Sequence, residues 1–213
     1  MQKIIVLLTL ALLLALCVCQ AEADRLILIP TGSVLDSGAI KAEAAFRSSD
    51  GSSIFVPRDA DQINWANIGI SRFEVDARRL VAGGLDKITV GIEAGVLPET
   101  LITPGVGIGI RDLTDELERS YYLAVTKTVP LSDKLPLPIH DVKVHGGFGI
   151  NGELGGFFAG GQVGLPMNLT LCAEYDSENF NAALKWSPVS KIGLKVYTLD
   201  SEFFYGADIK LAF

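Results

Sequence analysis

From about Ser37 to the end of the chain, apolar and polar residues alternate with the period-two pattern of strands that have one apolar and one polar face. The last stretch shows it best. Phe203, Tyr205, Ala207, Ile209, Leu211 and Phe213 share one face, and Phe204, Gly206, Asp208, Lys210 and Ala212 the other. The same alternation marks Ile40–Phe46, Ile88–Ala94, Val106–Ile110, Val142–Phe148, Leu169–Tyr175, Phe180–Trp186 and Ile192–Val196. Turn-forming pairs such as Gly83-Gly84, Asn151-Gly152, Asp176-Ser177 and Asp200-Ser201 separate the runs. The pattern predicts twelve strands, with ten as the alternative count: 38–47, 52–57, 65–80, 87–96, 104–112, 119–129, 141–150, 153–164, 168–176, 178–187, 191–199 and 203–213. The 65–80 stretch changes phase near Arg72, which predicts a bulge or bend there.

The two faces differ in a way that bears on the solvent around them. Full charges stand mid-strand on the polar faces: Lys41, Glu43, Glu93, Arg111, Lys143, Glu174, Lys185, Lys195, Asp208 and Lys210, with His145 among them. Aromatic residues recur near strand ends, as in the interfacial girdles of membrane barrels. Runs of about 9–11 residues suit a tilted bilayer crossing. A sheet in lipid must close on itself, because an open edge leaves backbone groups without partners. The fold class is therefore all-β, a closed antiparallel transmembrane β-barrel over 38–213. A soluble periplasmic barrel or sandwich that binds an apolar ligand also alternates, and it stands as the alternative.

The beginning of the chain follows a different pattern. After Lys3, Ile4 to Val18 is an almost unbroken apolar run, short for a spanning helix and typical of a signal peptide. Ala21-Glu22-Ala23 fits the small-x-small cleavage pattern, so residues 1–23 read as a cleaved signal and 24–37 as a periplasmic N-terminal segment.

Composition narrows the chemistry. Hydrophobic residues make up 49% of the chain with no apolar helix beyond the signal to account for them. The net charge of −7 excludes nucleic acid as a partner. Outside the signal only Cys172 remains, so no internal disulfide is available, and with His140 and His145 it shows no metal-ligand spacing. Gly147 to Gly152 matches the dinucleotide-loop spacing but runs into another glycine-rich strand rather than a helix, so no cofactor is expected. His145 near Asp141 is the one hint of an outer-membrane hydrolase. No nucleophile can be assigned beside it, and the reading is of a protein that is not an enzyme. The charged faces point instead to a narrow, mixed-charge lumen in which Lys41/Glu43, Glu93/Arg111, Lys143/Glu174 and Asp208/Lys210 pair. Such a lumen suits a small channel, or a structural or export-accessory barrel.

Two resemblances support this address. Tyr205-x-Ala207-x-Ile209-x-Leu211-x-Phe213 resembles the C-terminal sorting signal that bacterial outer-membrane barrels present to the barrel-assembly machinery. It implies Tyr205, Ile209, Leu211 and Phe213 as signal residues, with that machinery and outer-membrane lipid as partners. Ile29–Gly38, Gly109–Leu113 and Tyr122–Lys127 are similar to YjbH-like outer-membrane proteins, a family associated with exopolysaccharide production.

Overall fold

The computed structural model describes residues 25–48, 61–129, 131 and 139–213. Twelve antiparallel strands follow one another round a closed ring: β1 (Ala39–Arg47), β2 (Gln62–Ile70), β3 (Phe73–Ala82), β4 (Leu85–Leu97), β5 (Gly105–Arg111), β6 (Ser120–Val129), β7 (Asp141–Ile150), β8 (Gly156–Leu165), β9 (Leu169–Tyr175), β10 (Phe180–Val189), β11 (Ile192–Leu199) and β12 (Glu202–Ala212). Each strand pairs with its sequence neighbours, and β1 pairs with β12 from Ala39↔Ala212 to Arg47↔Phe204, which removes both free edges. The seam is finished by the Phe213 N–H donating to the Gly38 carbonyl at 3.3 Å. Both described ends of the wall therefore lie at one end of the barrel, here called the near end.

The expected number of strands is found, but two of them are differently placed. The 65–80 stretch is not one bent strand. It is most of the hairpin β2–β3, with Ile70 opposite Phe73 and a two-residue turn at Ser71-Arg72. Outward positions change from even (Ile68, Ile70) to odd (Phe73) across that turn, which is the phase change visible in the sequence. The predicted strand at 52–57 lies outside the described residues, as do the signal peptide and its cleavage residues Ala21 and Ala23.

The pleat sorts side chains as the alternation requires. Ile40, Ile68, Ile88, Ile108, Leu123, Val144, Leu171, Leu184, Leu194, Val196 and Ile209 point outward and are exposed. Each such side chain forgoes roughly 1.5–3 kcal/mol by staying unburied in water. A continuous apolar band of this kind marks a surface made for another apolar phase. Inward, the wall carries the ionisable groups. It also carries an apolar cluster toward the far end, where Ile63, Phe158, Tyr197, Leu199 and Phe204 are buried.

Candidate functional site: the occupied lumen

The lumen is not empty. Residues 25–36, expected as a segment on the periplasmic side of the barrel, run inside the ring of strands. They enter at the near end, pass up the interior and fold back through a tight turn, where the Leu26 N–H donates to the Ile29 carbonyl at 2.9 Å and Arg25 bridges to Pro30. Leu26, Ile27 and Ile29 join the apolar cluster of the wall with Leu154 and Phe158. Ile29 is 0% exposed, which a segment free in solution cannot be.

Wall side chains hold this segment mainly by its main chain. The Glu174 carboxylate accepts from the backbone N–H groups of Ile27 (2.9 Å), Leu28 (2.8 Å) and Ile29 (3.4 Å). Thr126 accepts from the N–H of Gly32 at 2.8 Å, and Glu74 from that of Leu35 at 2.7 Å. In the other direction Arg111 donates to the Leu28 carbonyl at 2.8 Å. A segment without a strand partner must find such acceptors, since a buried N–H with none costs about 1–3 kcal/mol.

One side chain of the segment is read specifically. Arg25 forms an ion pair with Glu43, which also pairs with Lys195. Its guanidinium lies over the Trp65 ring, 3.9 Å from the centroid, with Arg78 at 5.1 Å and Arg111 at 5.6 Å from the same ring. Weak hydration of guanidinium and its affinity for aromatic faces make this a favourable seat for arginine. Beside the segment, between Arg25, Trp65, Glu93 and Tyr122, a void of about 20 Å³ remains, close to the size of one water.

The positions singled out from the sequence are distributed as follows. Lys41, Glu43, Glu93, Arg111, Lys143, His145, Glu174, Lys185 and Lys195 are buried inside the barrel, and Asp208 and Lys210 are partly buried. The register corrects one of the expected pairings, that of Lys143 with Glu174. Lys143 stands level with Gln162 and, one strand on, Cys172, whereas Glu174 stands level with Gly160 and so with His145. Glu93 accepts from the Tyr122 hydroxyl at 2.9 Å. Asp208 is opposite Glu43 and Lys210 opposite Lys41, so like charges face each other across the β1–β12 seam. Lys185 likewise faces Lys195 across β10–β11. The Glu43 carboxylate relieves part of this crowding by binding two cations at once. Glycine gives the acids room: a Cβ at Gly91 would collide with Asp76 and one at Gly193 with Asp208.

The remaining candidates have plain places. His145 shares a 2.8 Å hydrogen bond between its Nδ1 and the Thr126 hydroxyl, the same hydroxyl that receives Gly32. Gly147 and Gly149 of the dinucleotide-like stretch lie on β7, where a side chain at Gly147 would strike Phe158. Tyr205, Ile209 and Leu211 point outward from β12, and Phe213 is 90% exposed. Sequence reasoning missed Arg25, Trp65, Glu74 and Thr126. The available signal was Leu26–Ile29, a run too apolar for a free segment and without period two.

These features define a class: a closed twelve-stranded antiparallel barrel with an apolar exterior and an ionisable lumen. The chain matches no protein-family model and no curated protein sequence. Among solved structures it is similar to "KdgM porin in complex with disordered oligogalacturonate", with a TM-score of 0.51 and 9% identity over 82% of this chain and 99% of that one. It is similar also to "KdgM porin", with a TM-score of 0.50 and 10% identity over the same shares. At such identity the likeness shows a shared barrel fold.

Proposed function

We infer that the protein is a bacterial outer-membrane β-barrel with a narrow, mixed-charge lumen that acts as a small channel, closed in this state by residues 25–36. One observation carries the reading: a continuous band of apolar side chains faces outward, while the mid-strand ionisable groups are buried inside. A soluble binder of apolar ligands has the reverse arrangement, which disfavours that alternative. The porin fold of the neighbours, one of them solved with an acidic oligosaccharide, supports passage of a small polar or charged solute over hydrolysis. His145 then has a structural task, fixing the Thr126 hydroxyl that holds Gly32.

In this reading the near end is periplasmic, lipid covers the outward residues, and the assembly machinery reads Tyr205, Ile209, Leu211 and Phe213. Export uses the signal that ends at Ala21-Glu22-Ala23. Nothing in the neighbours supports the likeness to YjbH-like proteins, so no exopolysaccharide role is assigned.

Detergent extraction followed by unheated and heated electrophoresis tests the barrel, and planar-bilayer recording tests the channel. A heat-modifiable band is expected. Wild-type protein should conduct rarely, and Gly32→Ala, whose added Cβ would lie 2.4 Å from the Gly105 carbonyl oxygen, should conduct steadily. A protein soluble without detergent would end the membrane reading. A folded Gly32→Ala barrel that never conducts would leave only a structural or export-accessory barrel.

A further inference from the structure

We propose that the lumen is a binding seat for a polypeptide segment that turns tightly at a cationic tip, filled in this structure by the chain's own residues 25–36 and able to take such a segment in trans. The proposal rests on the barrel reading above and deepens it by naming a ligand class.

Three observations point this way. First, the wall recognises main chain. Glu174, Thr126 and Glu74 accept N–H groups at five positions of the segment, and Arg111 donates to one carbonyl. Groups that read backbone accept a peptide of the same turned course whatever its side chains, because every residue carries the N–H and C=O groups they bind. Secondly, selectivity enters at one place, where Arg25 sits between the Glu43 carboxylate and the Trp65 ring. Thirdly, the seat is made largely of ionisable wall groups. Water satisfies carboxylates and guanidinium when a peptide leaves, whereas a permanently filled interior is as well served by apolar side chains. At the near end a cleft of about 830 Å³, lined by Val34, Leu97, Glu99 and Lys127 among others, opens beside the segment's base.

The segment in cis competes at high effective concentration, so a test must weaken it without altering the wall. Gly32→Ala does so: its Cβ would lie 2.4 Å from the Gly105 oxygen and 2.8 Å from the Thr126 nitrogen. The opposite state is a lock. A Cβ at Gly105 would lie 3.1 Å from Ser33 Oγ, close to the spacing within a disulfide, so Ser33→Cys/Gly105→Cys should tie the segment down on oxidation.

The probe is a fluorescently labelled peptide of residues 25–36, titrated by anisotropy into detergent-solubilised barrels. Heat-modifiable migration is checked on each sample. Gly32→Ala should bind it at least about tenfold more tightly than wild type, and a probe carrying Arg25→Glu should bind about tenfold more weakly. The oxidised double-cysteine protein should bind less than its reduced form. A heat-modifiable Gly32→Ala barrel that binds no peptide overturns the proposal while leaving the membrane barrel intact. Equal binding by the oxidised and reduced double-cysteine forms, once the disulfide is verified by mass, overturns it as well. Should Gly32→Ala lack a heat-modifiable form, Arg25→Glu protein takes its place with the same expected and overturning results. Loss of the heat-modifiable form in wild type counts against the barrel reading itself.

Discussion

The segment 25–36 and strand β12 meet at one corner of the barrel, beside Gly38, yet they are built on opposite rules. β12 satisfies its main chain through two ladders, to β1 and β11, and its side chains alternate between the outer face and the lumen. The N-terminal segment has no ladder. Its main chain is satisfied by wall side chains, and Leu26, Ile27 and Ile29 are all buried instead of every second residue. Periodicity reports a boundary between two environments, so it describes a wall. The contents of the wall have one environment on all sides and carry no period.

The largest effect that sharpens this contrast is expected from Glu43→Gln. Removing one member of a buried ion group costs about 3–5 kcal/mol, and the loss should fall on the contents. Hydrogen exchange should show lost protection at residues 27–35 with β1 and β12 still protected. Equal loss in both regions would break the division between wall and contents. Next, Val196→Arg puts a charge on the outer face and should cost about 2–4 kcal/mol in lipid vesicles, read as a lower denaturant midpoint. Lys185→Met on β10, facing inward opposite the like-charged Lys195, should shift it less. If the two midpoints moved together, the assignment of outer and inner faces would be wrong.

The smallest effect concerns neither region, and it provides a control. Asp112 follows β5 and organises the far-end loop. Burial raises its carboxyl, but the Thr114 hydroxyl and the N–H groups of Leu117, Glu116 and Glu118 outweigh this and hold it down to about 2, against an ordinary 3.8. A lowered folded value means the stabilisation is complete above the ordinary value and disappears as pH falls toward 2. Protease cleavage within 112–119 should therefore rise only below about pH 4. Asp112→Asn keeps a residue type that tolerates the φ of 59° there and should cost about 1 kcal/mol. It should also remove the acid dependence while leaving the lumen unchanged.

Most of the wall was legible because each strand separates an apolar phase from a polar one. The hairpin at Ser71-Arg72 was read as a bend because a two-residue turn and a bulge both shift the phase, and neither serine nor arginine announces the left-handed φ of 58° at Ser71. The lumen charges could be named but not paired. Pairing depends on register between strands, and on Arg25, which belongs to a segment that the pattern did not place inside. Trp65 was hidden for a related reason. It falls in the stretch whose phase was ambiguous, so its face could not be assigned. The apolar far-end cluster also went unseen, since Tyr197 and Phe204 occupy positions where the alternation calls for polar residues.

The junction at Gly38 has a consequence for the order of assembly. The β1–β12 seam joins the two strands farthest apart in the chain, so it carries the largest loop-closure cost of any pairing in the wall. It closes next to the point where the interior segment joins β1, so residues 25–36 can be laid in place before the ring is complete and the barrel has no need to open in order to be filled.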